Sequence, residues 1–143
     1  MIKVKKILPV ALGLALILTG CPMIANDDND GIEIQKVSAG LNHTVAIGAD
    51  GTLWAWGSNN HGQLGDGTTA DQQLPLQIGR AVNWAAVSTG GEYNMAFGTD
   101  GSLWAWGRNN HGQFGNGTTA GRNTPGRIEM ATAWASVSTS STS

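Results

Sequence analysis

Few side chains in this 143-residue chain could serve as nucleophile, general base or metal ligand: one cysteine, three histidines and ten carboxylates. His61 and His111 occupy the same place in two sequence copies 50 residues apart, whereas the copy of His43 is Tyr93. No Cys, His and Asp set shows the short spacing by which zinc sites gather their ligands. Asp50, Asp66 and Asp100 each precede a glycine, the turn setting in which Asp bonds nearby backbone, so a carboxylate pair for hydrolysis is not expected. The glycine-rich stretch from Gly57 to Gly67 is followed by neither a Lys-Ser/Thr pair nor a helix, which argues against a phosphate cradle. Its recurrence also argues against catalysis, because an active site is usually built once per domain. The expectation is a protein that is not an enzyme, with no catalytic residue, no metal and no cofactor.

The one thiol sits in a different context. Lys3, Lys5 and Lys6 precede an apolar run from Ile7 to Leu18, which is too short for the ~20 residues that span a bilayer. The run ends in Leu18-Thr19-Gly20-Cys21, which resembles the lipobox of bacterial lipoproteins. That resemblance implies cleavage before Cys21, transfer of diacylglycerol to its sulfur and acylation of the new amino terminus. A thiolate is the nucleophile such a transfer needs, and several acyl chains anchor stably where one binds only marginally. Residues 1–20 are therefore read as a lipoprotein signal peptide. Residues 21–36 are read as the lipidated cysteine with a flexible acidic tether. The tether's Asn26-x-Asp28-x-Asp30-Gly31 imitates the start of a calcium loop, but its twelfth position is Val37 in place of Glu, so a solvated spacer is expected. The implied location is the bacterial cell envelope, on the exported side of a membrane. Pro22, where an aspartate would signal inner-membrane retention, leaves the outer membrane open as the destination.

Without its signal the chain keeps Lys36, Arg80, Arg108, Arg122 and Arg127 against ten carboxylates, a balance of about −5. Nucleic-acid affinity rests on neutralising phosphates, so no nucleic-acid partner is expected. Attraction to anionic lipid is equally weak, and attachment to the lipid bilayer must come from acylated Cys21.

From Val37 onward the sequence repeats with a period of 50. Trp54, Trp56, Gly57, Asn59, Asn60, His61, Gly62, Gln63 and Gly65 recur as Trp104, Trp106, Gly107, Asn109, Asn110, His111, Gly112, Gln113 and Gly115. Such periods mark solenoids, propellers or arrays. Short alternating runs at Thr44 to Ile47, Thr52 to Trp56, Leu74 to Ile78 and Trp84 to Val87 read as strands, with Asn94 to Phe97 and Ser102 to Trp106 in the second copy. Asp50-Gly51 and Asp100-Gly101 supply the positive φ of tight hairpins. Alternation puts Trp54 and Trp56 on one face and Leu53 and Ala55 on the other. Four strands in 50 residues is the arithmetic of a propeller blade. The expected fold is all-β: a partial β-propeller of about two four-stranded blades plus the start of a third. Repeat 1 is placed at 37–86, repeat 2 at 87–136 and the truncated start of repeat 3 at 137–143.

The strings DGTLWAWGSNNHGQLGDGTT and DGSLWAWGRNNHGQFGNGTT resemble the repeat of the regulator-of-chromosome-condensation family, with its W-G-x-N-x-x-G-Q-L-G core. Gly40 to Ile47 is similar to that family's G-x-x-H-[ST]-x-A-[LIV] strand. The resemblance spans roughly Val37 to Val137 and implies a propeller, normally of seven blades. The sequence departs from the pattern at Tyr93 and Asn94, which stand where His43 and Thr44 stand in the first copy, so no strict histidine role is shared by both blades.

The function expected from these features is that of a membrane-anchored, non-catalytic scaffold for protein interaction or ligand binding, derived from a longer propeller family. Its partner is an unidentified protein or glycan, with self-association to complete the propeller as a further reading. An exported propeller enzyme acting on a glycan and a non-functional gene fragment are the alternatives. The four tryptophans of the motif could form a glycan platform, but identical recurrence favours a packing role, one of each pair between blades and the other partly covered. Positions that differ between copies are the better contact candidates: Ser58 against Arg108, and Asp71 to Gln73 against Gly121 to Asn123.

Overall fold

The computed structural model describes residues 2–4, 31–79, 83–129, 136, 138 and 139. Cys21, the lipobox and the calcium-like string before Gly31 lie outside these residues. Nine strands are described: β1 (Ile2–Val4), β2 (Ile32–Ala39), β3 (His43–Gly48), β4 (Leu53–Gly57), β5 (Gln72–Ile78), β6 (Trp84–Thr89), β7 (Tyr93–Gly98), β8 (Leu103–Gly107) and β9 (Arg122–Arg127). They form two antiparallel sheets in simple meander order, β1-β2-β3-β4-β5 and β6-β7-β8-β9. Each four-stranded meander is one propeller blade, with β1 added at the β2 edge of the first. The expected all-β propeller architecture is what the chain adopts.

The sheets begin earlier than the repeat phase drawn at Val37 and Val87. Ile32 to Lys36, expected within a flexible tether, form the first half of β2, and Ile34 is 6% exposed. The reason is the alternation Ile32-Glu33-Ile34, which offers the sheet an apolar side chain at every second position. Register shifts interrupt β2 between Ile34 and Lys36 and β6 between Trp84 and Ala86, so both blades carry an irregularity at the same place.

The hairpins between β3 and β4 and between β7 and β8 share one construction. Gly48 N–H bonds Thr52 O at 2.8 Å and Gly51 N–H bonds Gly48 O at 2.9 Å. The positive φ falls on Gly51 alone, at 80°, and not on Asp50. This is a three-residue loop ending in a left-handed glycine rather than a two-residue turn with both centres left-handed. Asp50 closes the loop by accepting from Thr52 N–H and hydroxyl, and the Thr52 oxygen accepts from Trp54 Nε1 at 2.8 Å. Asp100, Ser102 and Trp104 repeat the arrangement.

Candidate functional site

Strand alternation gives each blade two faces. On the first blade His43, Val45 and Ile47 of β3 share a face with Leu53 and Ala55 of β4 and Ile78 of β5. On the second blade Asn94 and Ala96 of β7 share a face with Trp104 and Trp106 of β8. These two faces meet. Val45, Ile47, Leu53, Ala55, Leu64 and Ile78 form one apolar cluster with Trp84, Ala96 and Trp106. Phe97, Leu103, Ala105, Phe114 and Ile128 form the equivalent cluster on the far face of the second blade.

One set of side-chain links follows a rule of sequence. Ser38 Oγ lies 2.8 Å from Thr89 Oγ1 and accepts from Thr89 N–H at 3.0 Å. Ser88 and Thr139 repeat both contacts at 2.9 Å. His43 Nε2 lies 2.8 Å from Asn94 Oδ1. Every one of these pairs is separated by 51 residues, the repeat plus one. Neighbouring residues of a strand point to opposite faces, so residue i on one blade meets the copy of residue i+1 on the next.

The long loops between β4 and β5 and between β8 and β9 carry the repeat motif. Asn59 is fully buried and acts as the hub of its loop. Its Oδ1 accepts from Leu64 N–H at 2.9 Å, and its Nδ2 donates to Thr68 O and Ala70 O at 3.2 and 3.0 Å. Asn109 holds Phe114, Thr118 and Ala120 in the same way. The product is a plug: Leu64 and Phe114 are driven, with 0% and 1% exposure, into the apolar face of their own blade. Gln63 and Gln113 stabilise the turn by accepting from His61 N–H and His111 N–H.

In the first blade the loop does more than fold itself. Gln63 O accepts from Trp106 Nε1 at 3.0 Å and from Asn94 Nδ2 at 2.7 Å, both on the second blade. Gly67 N–H and O exchange bonds with Asn123 O and Nδ2 at 2.8 Å each. Gly62 is required by this approach: a Cβ there would stand 2.5 Å from Asn123 Cα. Gly65 gives the same room to the Trp106 indole. Gly57 and Gly107 let the blade edge pass the β2–β3 and β6–β7 turns, whose backbone oxygens would lie 2.5 Å from an added Cβ. Gly112 and Gly115 meet no such neighbour among the described residues.

The tryptophans divide by position in the joint. Trp106 is fully buried, and Trp104 is half-buried with its ring 5.6 Å from that of Trp84 in an edge-on arrangement. Trp54 and Trp56, on the face of the first blade turned away from the joint, are both half-buried. Two solvent-facing features flank the joint. One is an open groove of about 560 Å³ between Leu76 and Ile78 on one side and Trp84, Trp104 and Pro125 on the other. The second is a charged cluster at the long-loop end, where Glu92 Oε2 lies 2.5 Å from Arg108 Nη1 and 3.5 Å from His61 Nε2. Of the variable positions expected to make contacts, Asp71 and Asn123 are exposed and also bonded within the chain, Asp71 accepting from Asn59 N–H at 2.8 Å and Asn123 Nδ2 donating to Gly67 O at 2.8 Å. Arg108 remains at the surface beside Glu92.

The titratable groups fit this structural role. Burial lowers the pKa of His43, outweighing the Asn94 hydrogen bond and the nearby charge of Glu92. The Thr52 hydroxyl and N–H hold Asp50 low, and Ser102 does the same for Asp100. Burial pushes Asp66 up, but bonds from Thr68 and Asn59 more than offset it and the net shift is downward. Among the described residues no group of three metal-ligating side chains converges. The joint pairing was the part hidden from sequence reading, although the departures at Tyr93 and Asn94 were its visible trace.

Two meander blades joined through a repeated Trp-Gly-x-Asn-x-x-Gly-Gln loop define a propeller-repeat protein, a fold whose sheets hold loops for recognition. The family described as "Regulator of chromosome condensation (RCC1) repeat" matches residues 50–97 and 100–142, and a second description of the same repeat matches residues 34–63 and 84–113. The chain belongs to this RCC1 repeat family. It is 44% identical to the ultraviolet-B receptor UVR8 of Arabidopsis thaliana over 45 residues, 32% of this chain and 10% of UVR8. Its fold matches human WBSCR16 with a TM-score of 0.64 at 25% identity, covering 68% of this chain and 26% of that one. Prp20p of Saccharomyces cerevisiae matches with a TM-score of 0.65 at 20% identity, over 70% of this chain and 26% of Prp20p. The chain thus spans about a tenth of the length of UVR8 and about a quarter of these propellers.

Proposed function

We propose that the chain is a lipid-tethered, non-catalytic propeller-repeat scaffold whose partner is a protein that docks on the long-loop end of the blades. The observation that supports this most is the use made of the repeat motif. Asn59, Gln63, Trp106 and Asn109 are engaged in building loops and the joint, while Asn60, His61, Asn110 and His111 stay exposed at the loop end. Rigid sheets that hold exposed, charged loops still are a recognition surface. Prp20p has been described by its binding to Gsp1p and histones, which gives protein binding a precedent on this fold. An acidic chain is ill suited to the nucleic-acid side of chromatin, so the precedent extends only to protein partners.

The tether is Cys21, which would hold the blades in the cell envelope on the exported side of a membrane. Metabolic labelling with an alkyne fatty acid tests it: label is expected on the wild type, and none on Cys21→Ser, which also retains residues 1–20. A wild type that is cleaved but unlabelled would overturn the tether. For the scaffold, a photo-crosslinking residue at Asn110 is expected to give a discrete protein adduct in cells, and one at the exposed Thr99, on the opposite hairpin end, is expected to give none. Equal adducts from both ends, or none from Asn110, would refute docking at the loop end. Self-association through the half-buried Trp54 and Trp56 face belongs to the same proposal, and sedimentation of the delipidated chain reads it directly.

A further inference from the structure

One titratable side chain is sealed into the joint. His43 is 3% exposed, and its only side-chain partner among the described residues is Asn94 of the other blade. The orientation of the Asn94 amide is fixed by chemistry: its Nδ2 lies 2.7 Å from Gln63 O, a carbonyl that can only accept. The amide oxygen must therefore face His43, so His43 Nε2 carries the hydrogen and donates it. The lone pair of the neutral ring then sits on Nδ1, which is buried and has no hydrogen-bond partner among the described residues. The second proton of an imidazolium falls on that atom.

Protonation would leave the Nε2 link intact but would place a charge and an unpaired N–H inside the joint, which is costly in a site away from water. The groups facing the ring do not remove that cost. Glu92, in the turn between β6 and β7, is the one nearby anion among the described residues, and it is already shared between Arg108 at 2.5 Å and His61 at 3.5 Å. Asn94 and Gln63 are neutral. Relief comes from separating the blades, which hydrates Nδ1 at the expense of the chain of bonds from His43 through Asn94 and Gln63 O to Trp106.

We propose that the joint between the two blades is an acid-sensitive latch, closed while Nδ1 of His43 is unprotonated and loosened when that atom takes a proton. The surface gated by the latch is the loop end, where Leu41 N–H meets Gly91 O at 3.0 Å and His61 meets Glu92 across the blades. A partner bound there would be held in neutral surroundings and released in mildly acidic ones. Tyr93 stands at the equivalent place in the second blade, so the latch belongs to this joint alone. Release of a partner rests on the docking at the loop end proposed above, whereas the latch itself operates however the chain is anchored.

The test is urea unfolding of the full chain in detergent between about pH 7.5 and pH 5, for the wild type and His43→Gln. Glutamine keeps a donor for Asn94 Oδ1 and cannot take the proton. The unfolded chain protonates near 6.5 and the folded chain only at lower pH. The wild-type folding constant is therefore whole above that value and falls by up to about tenfold per pH unit below it. The constant for His43→Gln is expected to stay level over the same range. Equal slopes for the two proteins would overturn the latch. Should His43→Gln fail to fold, imidazole nitrogen NMR of the wild type decides. The latch requires the Nε2–H form to persist below pH 6.5 and to vanish together with the Asn94 amide and Trp106 indole signals. A His43 that titrates at 6.5 while those signals stay in place would contradict it. Asp50, Asp66 and Asp100 titrate below 3.8 and leave this window clear.

Discussion

The asparagines of the motif carry more structural consequence than its tryptophans advertise. Asn59, itself fully buried, both donates and accepts within its loop, and its Oδ1 holds the N–H of Leu64 as that side chain enters the core. Replacing Asn59 by Ala orphans that buried N–H, worth ~1–3 kcal/mol, while the carbonyls of the exposed Thr68 and Ala70 can turn to water. We expect Asn59→Ala to lower stability by about 1–3 kcal/mol in urea unfolding. At the hairpins the expected effect is small and acid-dependent. Asp50 and Asp100 have folded pKa values below the ordinary 3.8, so their contribution is whole above that pH and fades as pH falls through the folded value. Backbone chemical shifts of Thr52 and Ser102 should move in that range in the wild type, and Asp50→Asn should abolish the movement at Thr52. The sequence made these aspartates legible as turn residues. It did not reveal why Asn94 departs from the repeat, because that departure answers His43 across the joint and is not interpretable alone.

At the scale of elements, most strands were readable from alternation and Asp-Gly turns, since hairpin geometry is local. What was not readable depends on how one blade lies on another. The start of β2 at Ile32 was obscured by the neighbouring aspartates, and Ile32 to Lys36 share no identical residue with positions 82 to 86 of the second copy, so only their apolar alternation links the two. Identical motif glycines likewise have unequal duties. Gly62 and Gly112 have φ values of 73° and 75°, so either substitution by Ala incurs the ~1–2 kcal/mol of a left-handed residue. Only at Gly62 does the new methyl also meet the Asn123 backbone. Gly62→Ala should therefore be more destabilising than Gly112→Ala by roughly 1–3 kcal/mol, the cost of overpacking, as read from their thermal midpoints.

For the whole molecule, the joint is what makes two blades one folding unit, as nearest-neighbour interfaces do in repeat proteins. It has a direction: Leu64, Gln63 and His43 are offered by the first blade and received by Trp106 and Asn94 of the second. The copies of the receiving residues on the first blade are Trp56 and Thr44, both half-buried on the outward face. Equal residues of the motif should thus have unequal effects on stability, and one comparison puts this to the test. Trp106→Ala and Trp56→Ala are compared by equilibrium unfolding of the full chain. Removing the fully buried Trp106 should cost about 3–5 kcal/mol or split the transition in two, while Trp56→Ala keeps a single transition and costs markedly less. Equal losses from the two substitutions would contradict the assignment of the motif to the joint.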